Sequence, residues 1–187
     1  MRFTIKEKAD YLGTLRATRV YLMETLAAWI PPTPEMEVKV LFGRHTWDMA
    51  QHADQLGKRT YELRAPLHYT LAPTDGYREF LERAASAQAT PERIYAFYEV
   101  LLPALDARIH HYLASTDRLQ DEPTVRILEG MLRDDARLRE ESAALLAELD
   151  ALQLRDASSW DKLAAEQPQL AFVSPSAAAP AAMEVEA

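Results

Sequence analysis

The chain has 187 residues, a formal net charge of −8, no cysteine and 48% hydrophobic residues. A chain of this length buries enough apolar surface for one globular domain, and the lack of cysteine excludes thiol catalysis, zinc–thiolate sites and iron–sulfur clusters. The acidic balance, without a basic face, argues against binding to nucleic-acid phosphates.

The N-terminal segment, Met1 to Lys8, lacks the apolar core of a secretory signal. No apolar run approaches the ~18 residues that a membrane span needs. We therefore expect a cytoplasmic protein that does not contact a membrane.

Two long helices are predicted before residue 65. The first covers about 4–30 and ends at Pro31 and Pro32. The second covers about 34–64, and the hydroxyl of Thr33 is the expected N-cap. The short link predicts an antiparallel hairpin. The predicted buried positions of the second helix are Val38, Leu41, His45, Met49, His52, Leu56, Arg59 and Leu63.

Residues 65–90 form a long connection with turn signals around Gly76 and a short predicted helix over 77–85. A helix of about 30 residues is ~45 Å long, and an extended segment of this length spans that distance. The connection is therefore predicted to cross the whole length of a bundle.

A second hairpin is predicted from residue 90 onward. The third helix covers 90–115 and contains Pro103, which removes the hydrogen bond to the carbonyl of Glu99 and predicts a bend. A polar link, 116–122, leads to a fourth helix that begins at Pro123. The predicted seam of the fourth helix is Val125, Leu128, Leu132, Asp135, Leu138, Ser142, Leu145, Leu149 and Leu152.

The helical pattern ends near residue 156. We predict a helical domain over 1–155 and an acidic, Ala/Pro/Ser-rich tail over 156–187 that is largely disordered. The tail contains apolar residues able to dock a short piece of it on the bundle: Trp160, Leu163, Leu170 and Phe172.

Two hairpins joined by a long crossover are the connectivity of ferritin-like four-helix bundles. The segment 47–54, WDMAQHAD, resembles the second-helix motif of that superfamily, in which an acidic residue precedes a histidine by three positions. The segment 121–138 looks like the entry and metal-binding part of the fourth helix. The chain thus resembles the ferritin-like superfamily, which implies an all-α four-helix bundle.

The resemblance also implies a metal site from which this chain departs. Ferritin-like proteins hold two metals with one Glu each from helices one and three and a Glu-x-x-His from helices two and four. Here Met49 stands where the Glu before His52 belongs, and the fourth helix offers Asp135 and Leu138. The helix-one carboxylate is missing as well. The resemblance therefore implies a degenerate di-metal carboxylate site.

Polar residues at predicted core positions require partners, because unpaired buried charge is costly. In a first interpretation, Asp106 and Asp135 bind a helix-one arginine, Arg16 or Arg19, and His52 lies nearby. This ion network would replace a lost metal site.

Two further interpretations of the polar residues stay open. In one, iron or manganese persists at a mononuclear or unusual dinuclear site formed by His52, Asp48, Asp106 and Asp135, with Glu99 as a reserve ligand. In the other, the predicted seam is wrong by one residue and these side chains point to solvent.

The expected function follows from the degenerate site. The favoured hypothesis is a non-catalytic accessory or interaction protein without a cofactor, acting as a homodimer or with a protein partner. The alternative is a non-haem iron or manganese oxidase or oxygenase that acts on a small organic substrate. Whether the chain is an enzyme stays open. Trp47 and Tyr98 are expected to pack in the core or to line a pocket.

Overall fold

The computed structural model describes residues 3–174, and this part of the chain is all-α, as predicted. The helices are α1 (Ile5–Trp29), α2 (Met36–Glu62), α3 (Asp75–Ala85), α4 (Thr90–Tyr95), α5 (Leu102–Ser115), α6 (Glu122–Glu148) and α7 (Ser158–Glu166). A π-helical segment, Ala96–Leu101, joins α4 to α5, and 3-10 turns cover Asp150–Leu152 and Gln167–Gln169. Within residues 3–174 there is no strand beyond an isolated bridge between Pro73 and Val173, and no helix is both long and apolar enough to cross a membrane.

The start of α1 matches its sequence signal, whereas the start of α2 does not. Thr4 and Glu7 form a capping box, in which the Thr4 hydroxyl accepts from the Glu7 amide at 3.2 Å. Thr33, predicted as the N-cap of α2, instead donates its hydroxyl to the carbonyl of Trp29 at 2.7 Å. The helix begins later, after Glu35. The hydroxyl of Thr33 thus satisfies an unpaired carbonyl at the end of α1.

Contacts along the helices define their relative directions. Between α2 and α6, His45 contacts Glu141 at 3.1 Å, and Arg59 contacts Asp121 at 3.2 Å. Residue numbers rise along one helix and fall along the other, so the two helices are antiparallel.

The contacts of α1 with the third long helix follow the same rule. Tyr11, near the start of α1, donates to the carbonyl of Arg108 on α5 at 2.8 Å. Thr33, just beyond the end of α1, accepts from Arg93 on α4 at 3.2 Å. The helix formed by α4, the π segment and α5 is therefore antiparallel to α1.

The π segment lies immediately before Pro103. The Leu102 amide donates to the carbonyl of Phe97, five residues earlier, instead of the usual four. Proline lacks an amide hydrogen, and its ring would clash with the carbonyl of Glu99 in an α-helix. A π turn accommodates both conditions. The predicted disturbance at Pro103 thus takes the form of a wider turn that spans Ala96–Leu101.

The crossover begins by packing onto α1 and α2 through two glycines. A Cβ at Gly13 would lie 2.8 Å from the Tyr69 ring, and a Cβ at Gly57 would overlap the imidazole of His68 and lie 3.2 Å from its Cα. The Leu71 amide donates to the Gly13 carbonyl at 3.2 Å. Both glycines therefore provide the space that the crossover needs.

The first part of the tail packs on the helices. Leu163 and Phe172, two of the residues expected to dock, are buried. Arg108 on α5 donates to the carbonyls of Gln167 at 2.6 Å and Leu170 at 2.9 Å. The remainder of the predicted disordered tail, residues 175–187, lies outside the described residues.

Replacing Gly57 with Ala is expected to lower the free energy of unfolding by about 1–3 kcal/mol, because the new methyl group overlaps the crossover at His68. Gly130→Ala is the matched control, since the nearest atom to its Cβ is 3.9 Å away. The control should gain about 0.5–1 kcal/mol from helix propensity. Urea denaturation measures both, and equal effects of the two substitutions would refute the account of Gly57.

Candidate functional site

A buried ion pair between α1 and α6 lies at the centre of the polar cluster. Arg19 and Asp135 are both 0% exposed. Nη1 of Arg19 donates to Oδ1 of Asp135 at 2.8 Å, and its Nη2 donates to Oδ2. Two parallel charge-assisted bonds of this kind form the strongest arginine–carboxylate geometry. Burial opposes ionisation of Asp135, but the charge of Arg19 and the hydrogen bonds that Asp135 accepts together keep its pKa below the ordinary value.

Asp106 on α5 shares this cluster and keeps its proton to a higher pH than an ordinary aspartate does. Burial, followed by the negative charge of Asp135 and a hydrogen bond to it, raises the pKa of Asp106 to about 7. The protonated Asp106 therefore donates to the ionised Asp135. Oδ2 of Asp106 lies 3.5 Å from Nη2 of Arg139, and Oδ1 is buried and accepts no hydrogen bond from the described residues.

His52 on α2 completes the cluster in its neutral form. Its Nε2 lies 3.0 Å from Oδ2 of Asp134. Because a carboxylate only accepts, the neutral imidazole carries its proton on Nε2, and its buried Nδ1 has no partner within residues 3–174. Burial, with a second contribution from the charge of Arg19, lowers the pKa of His52.

The four proposed metal ligands do not converge. Asp106 and Asp135 touch and His52 lies beside them, but Asp48 accepts from Arg137 at 3.0 Å. In the part of the chain that the structure describes, no three histidine or acidic side chains are arranged to hold a metal ion. Glu99, considered as a reserve ligand, is exposed.

The three interpretations of the polar residues can now be compared. The arginine–carboxylate pair of the first is confirmed for Asp135, with Arg19 as the arginine, whereas Asp106 contacts Asp135 and not the arginine. The solvent-facing interpretation is wrong, because His52, Asp106 and Asp135 are all buried. Helical spacing placed these three residues on the inner faces of their helices, as the structure does.

A second buried chain of hydrogen bonds was not predicted from the sequence. Tyr98, in the π segment, lies 2.6 Å from Nδ1 of His45, whose Nε2 lies 3.1 Å from Glu141. Since Glu141 accepts, Nε2 of the neutral ring carries the hydrogen and Nδ1 accepts from the Tyr98 hydroxyl. Burial lowers the pKa of His45 and raises that of Tyr98 well above its usual range. Both groups are therefore neutral at physiological pH.

A cavity of the described chain lies away from the buried polar cluster. A cavity of about 450 Å³ is found where α1 begins and α2 ends, and Ile5, Asp10, Leu63, Arg64 and Tyr69 are among its lining residues. None of the four predicted metal ligands lines it. The charged groups of the cluster pair with one another, as Arg19 does with Asp135.

Comparison with known protein families, curated proteins and solved structures finds no match for this chain. Its functional assignment therefore depends on the geometry of the site.

Arg19→Met is expected to cost about 3–5 kcal/mol of unfolding free energy, because it leaves Asp135 buried without its counter-charge. Arg19→Met/Asp135→Leu should recover most of that loss, since neither buried charge remains. Arg16→Met, which removes a guanidinium that donates to Thr70 near the surface, serves as the control and should cost less than about 1 kcal/mol. A cost for Arg19→Met no larger than that of the control would disprove the importance of the pair.

The raised pKa of Asp106 predicts a specific dependence of stability on pH. Between the ordinary pKa of 3.8 and the folded-state pKa of about 7, the folded chain retains a proton that the unfolded chain releases. The stabilisation by Asp106 is thus complete on the acid side and is lost as the pH rises toward 7, by at most about 1.4 kcal/mol per pH unit.

Asp106→Asn provides the comparison, since its amide still donates to Asp135 but does not titrate. The stability of the unmodified chain minus that of Asp106→Asn should fall between about pH 4.5 and pH 7 and then level off. Urea denaturation across this range measures the difference. A difference that is constant with pH would show that Asp106 is ionised throughout.

Proposed function

We propose that this chain is a ferritin-like four-helix bundle without a working di-metal centre, and that it acts as an accessory or interaction protein. The directions of the helices support the first part. The α1 helix is antiparallel to α5, and α6 is antiparallel to α2. With α1–α2 as a hairpin, the first and last long helices run one way and the middle two run the other, which is the ferritin-like order with a long crossover.

The observation that carries the proposal is the bidentate pairing of Arg19 with Asp135. Both carboxylate oxygens accept from the guanidinium, and the proton of Asp106 is directed at the same carboxylate. A metal ion bound to Asp135 would have to displace this fixed positive charge or lie beside it. The guanidinium therefore takes the role of counter-ion that metals have in the superfamily.

The side chains around the pair also fail to fit two metals. Met49 directs its sulfur to Nη1 of Arg19 at 3.3 Å, and Leu138 is fully buried one turn after Asp135. Iron and manganese sites in this superfamily use carboxylate oxygens and imidazole nitrogens. The thioether and the aliphatic side chain replace such ligands at both places, so the residues present do not suit a di-metal centre.

The alternative is a non-haem iron or manganese oxidase or oxygenase acting on a small organic molecule. One observation favours it: Nδ1 of His52 and Oδ1 of Asp106 are buried and accept no hydrogen bond from residues 3–174. Each has a lone pair suited to a metal. A mononuclear site of this kind requires Arg19 to leave Asp135, however, and the burial of the arginine opposes that movement.

Metal analysis separates the two proposals. The purified chain, incubated anaerobically with Fe²⁺ or Mn²⁺ and then desalted, is expected to retain far less than one metal per chain. His52→Ala and Asp135→Asn should leave that content unchanged, with folding checked by circular dichroism. One metal per chain that disappears in both variants would contradict the lack of a metal centre and favour the alternative.

A further inference from the structure

An apolar stripe runs along the outer face of α2. Met36, Val40 and Trp47 are 66%, 54% and 66% exposed, whereas Trp47 was expected to pack in the core or to line a pocket. At about 100° per residue, offsets of four and seven residues fall on the same side of a helix. Gly43 lies on this side as well. We call Met36, Val40, Gly43 and Trp47 the α2 stripe.

Gly43 forms a notch in the α2 stripe. A Cβ built there meets no atom within 4 Å, whereas those at Gly13 and Gly57 meet the crossover. Glycine weakens the interior of a helix relative to alanine, and no contact within residues 3–174 requires it at position 43. The missing side chain leaves space between Val40 and the exposed indole of Trp47.

We propose that the α2 stripes of two copies of this chain pack against each other, antiparallel and about a two-fold axis, to form a homodimer. With the axis near residues 41 and 42, Trp47 of each copy lies opposite Met36 of the other, and Val40 lies opposite Gly43. A two-fold contact requires such a self-complementary patch. The notch at Gly43 allows the helices to approach to the short end of the usual 8–10 Å range.

Charges beside the stripe fit the antiparallel arrangement. Glu37 and Arg44 are both exposed and lie along one edge of the stripe. Glu37 has no ion-pair partner among the described residues, while Arg44 reaches Glu141 at 3.1 Å and keeps 61% of its side chain exposed. In the proposed register, Glu37 lies within about 3 Å along the helix axis of Arg44 of the second copy. Two equivalent ion pairs would therefore flank the apolar centre.

The apolar side chains of the α2 stripe supply part of the area that a dimer interface needs. A standard interface buries about 800 Å² per partner around an apolar core. The indole of Trp47 supplies on the order of 150 Å² of this core, Met36 and Val40 extend it, and the long polar side chains of α2 form the rim. The proposal does not depend on the accessory role, because the Arg19–Asp135 pair is buried inside the fold, whereas the α2 stripe is exposed.

The solution mass of the full chain tests the dimer. At a protein concentration on the order of 100 µM, sedimentation equilibrium should give twice the chain mass of 21.2 kDa. Trp47→Arg should restore the single-chain mass, whereas Leu119→Arg, which replaces a side chain 87% exposed between α5 and α6, should leave the dimer intact. A single-chain mass for the unmodified protein, or a doubled mass for Trp47→Arg, would overturn the proposal.

Charge reversal tests the register. Glu37→Arg and Arg44→Glu should each weaken dimerisation about tenfold, since each places two pairs of like charges together. The double variant Glu37→Arg/Arg44→Glu restores opposite charges and should dimerise to within about threefold of the unmodified chain. A double variant as weak as either single variant would show that the two residues do not meet across the interface. Thermal unfolding by circular dichroism verifies that each variant is folded.

Discussion

The structure depends on one buried ion pair, Arg19 with Asp135. Removing both charges from water costs several kcal/mol per ion unless the geometry and the surrounding hydrogen bonds compensate. Here the compensation is bidentate pairing, reinforced by the proton that Asp106 directs to the same carboxylate. Because the arginine lies on α1 and the two acidic residues lie on α6 and α5, satisfying this charge fixes three helices relative to one another.

The same pair connects the architecture with the proposed loss of metal chemistry. A ferritin-like centre places carboxylates around two metal cations. In this chain the positive charge beside Asp135 is the guanidinium of Arg19. Met49 and Leu138 provide no oxygen or nitrogen ligand. The sulfur of Met49 contacts the guanidinium, and Leu138 is buried in the core. Such a protein retains a rigid helical framework whose outer surfaces are available for contacts with other chains.

Periodicity in the sequence was sufficient to predict most of the helices and the burial of the polar cluster. His52 and Asp135 lie at helical spacing within apolar seams, and the structure buries both. The choice between Arg16 and Arg19 was not predictable, since both are near the same layer and only the packed structure shows which one reaches Asp135. The Tyr98–His45 contact also escaped prediction, because the π turn before Pro103 alters which residues face inward. The outward position of Trp47 follows from helical spacing, since its separation of two residues from both His45 and Met49 corresponds to about 160° around the helix, but its hydrophobicity alone indicated burial.

The most direct test of the central claim is an experimental structure of the chain grown in the presence of Mn²⁺, with anomalous diffraction recorded for the metal. The account predicts the guanidinium of Arg19 in bidentate contact with Asp135 and no anomalous peak within coordination distance of Asp106, Asp135 or His52. An anomalous peak bound to Asp135, with Arg19 turned away from it, would contradict the account.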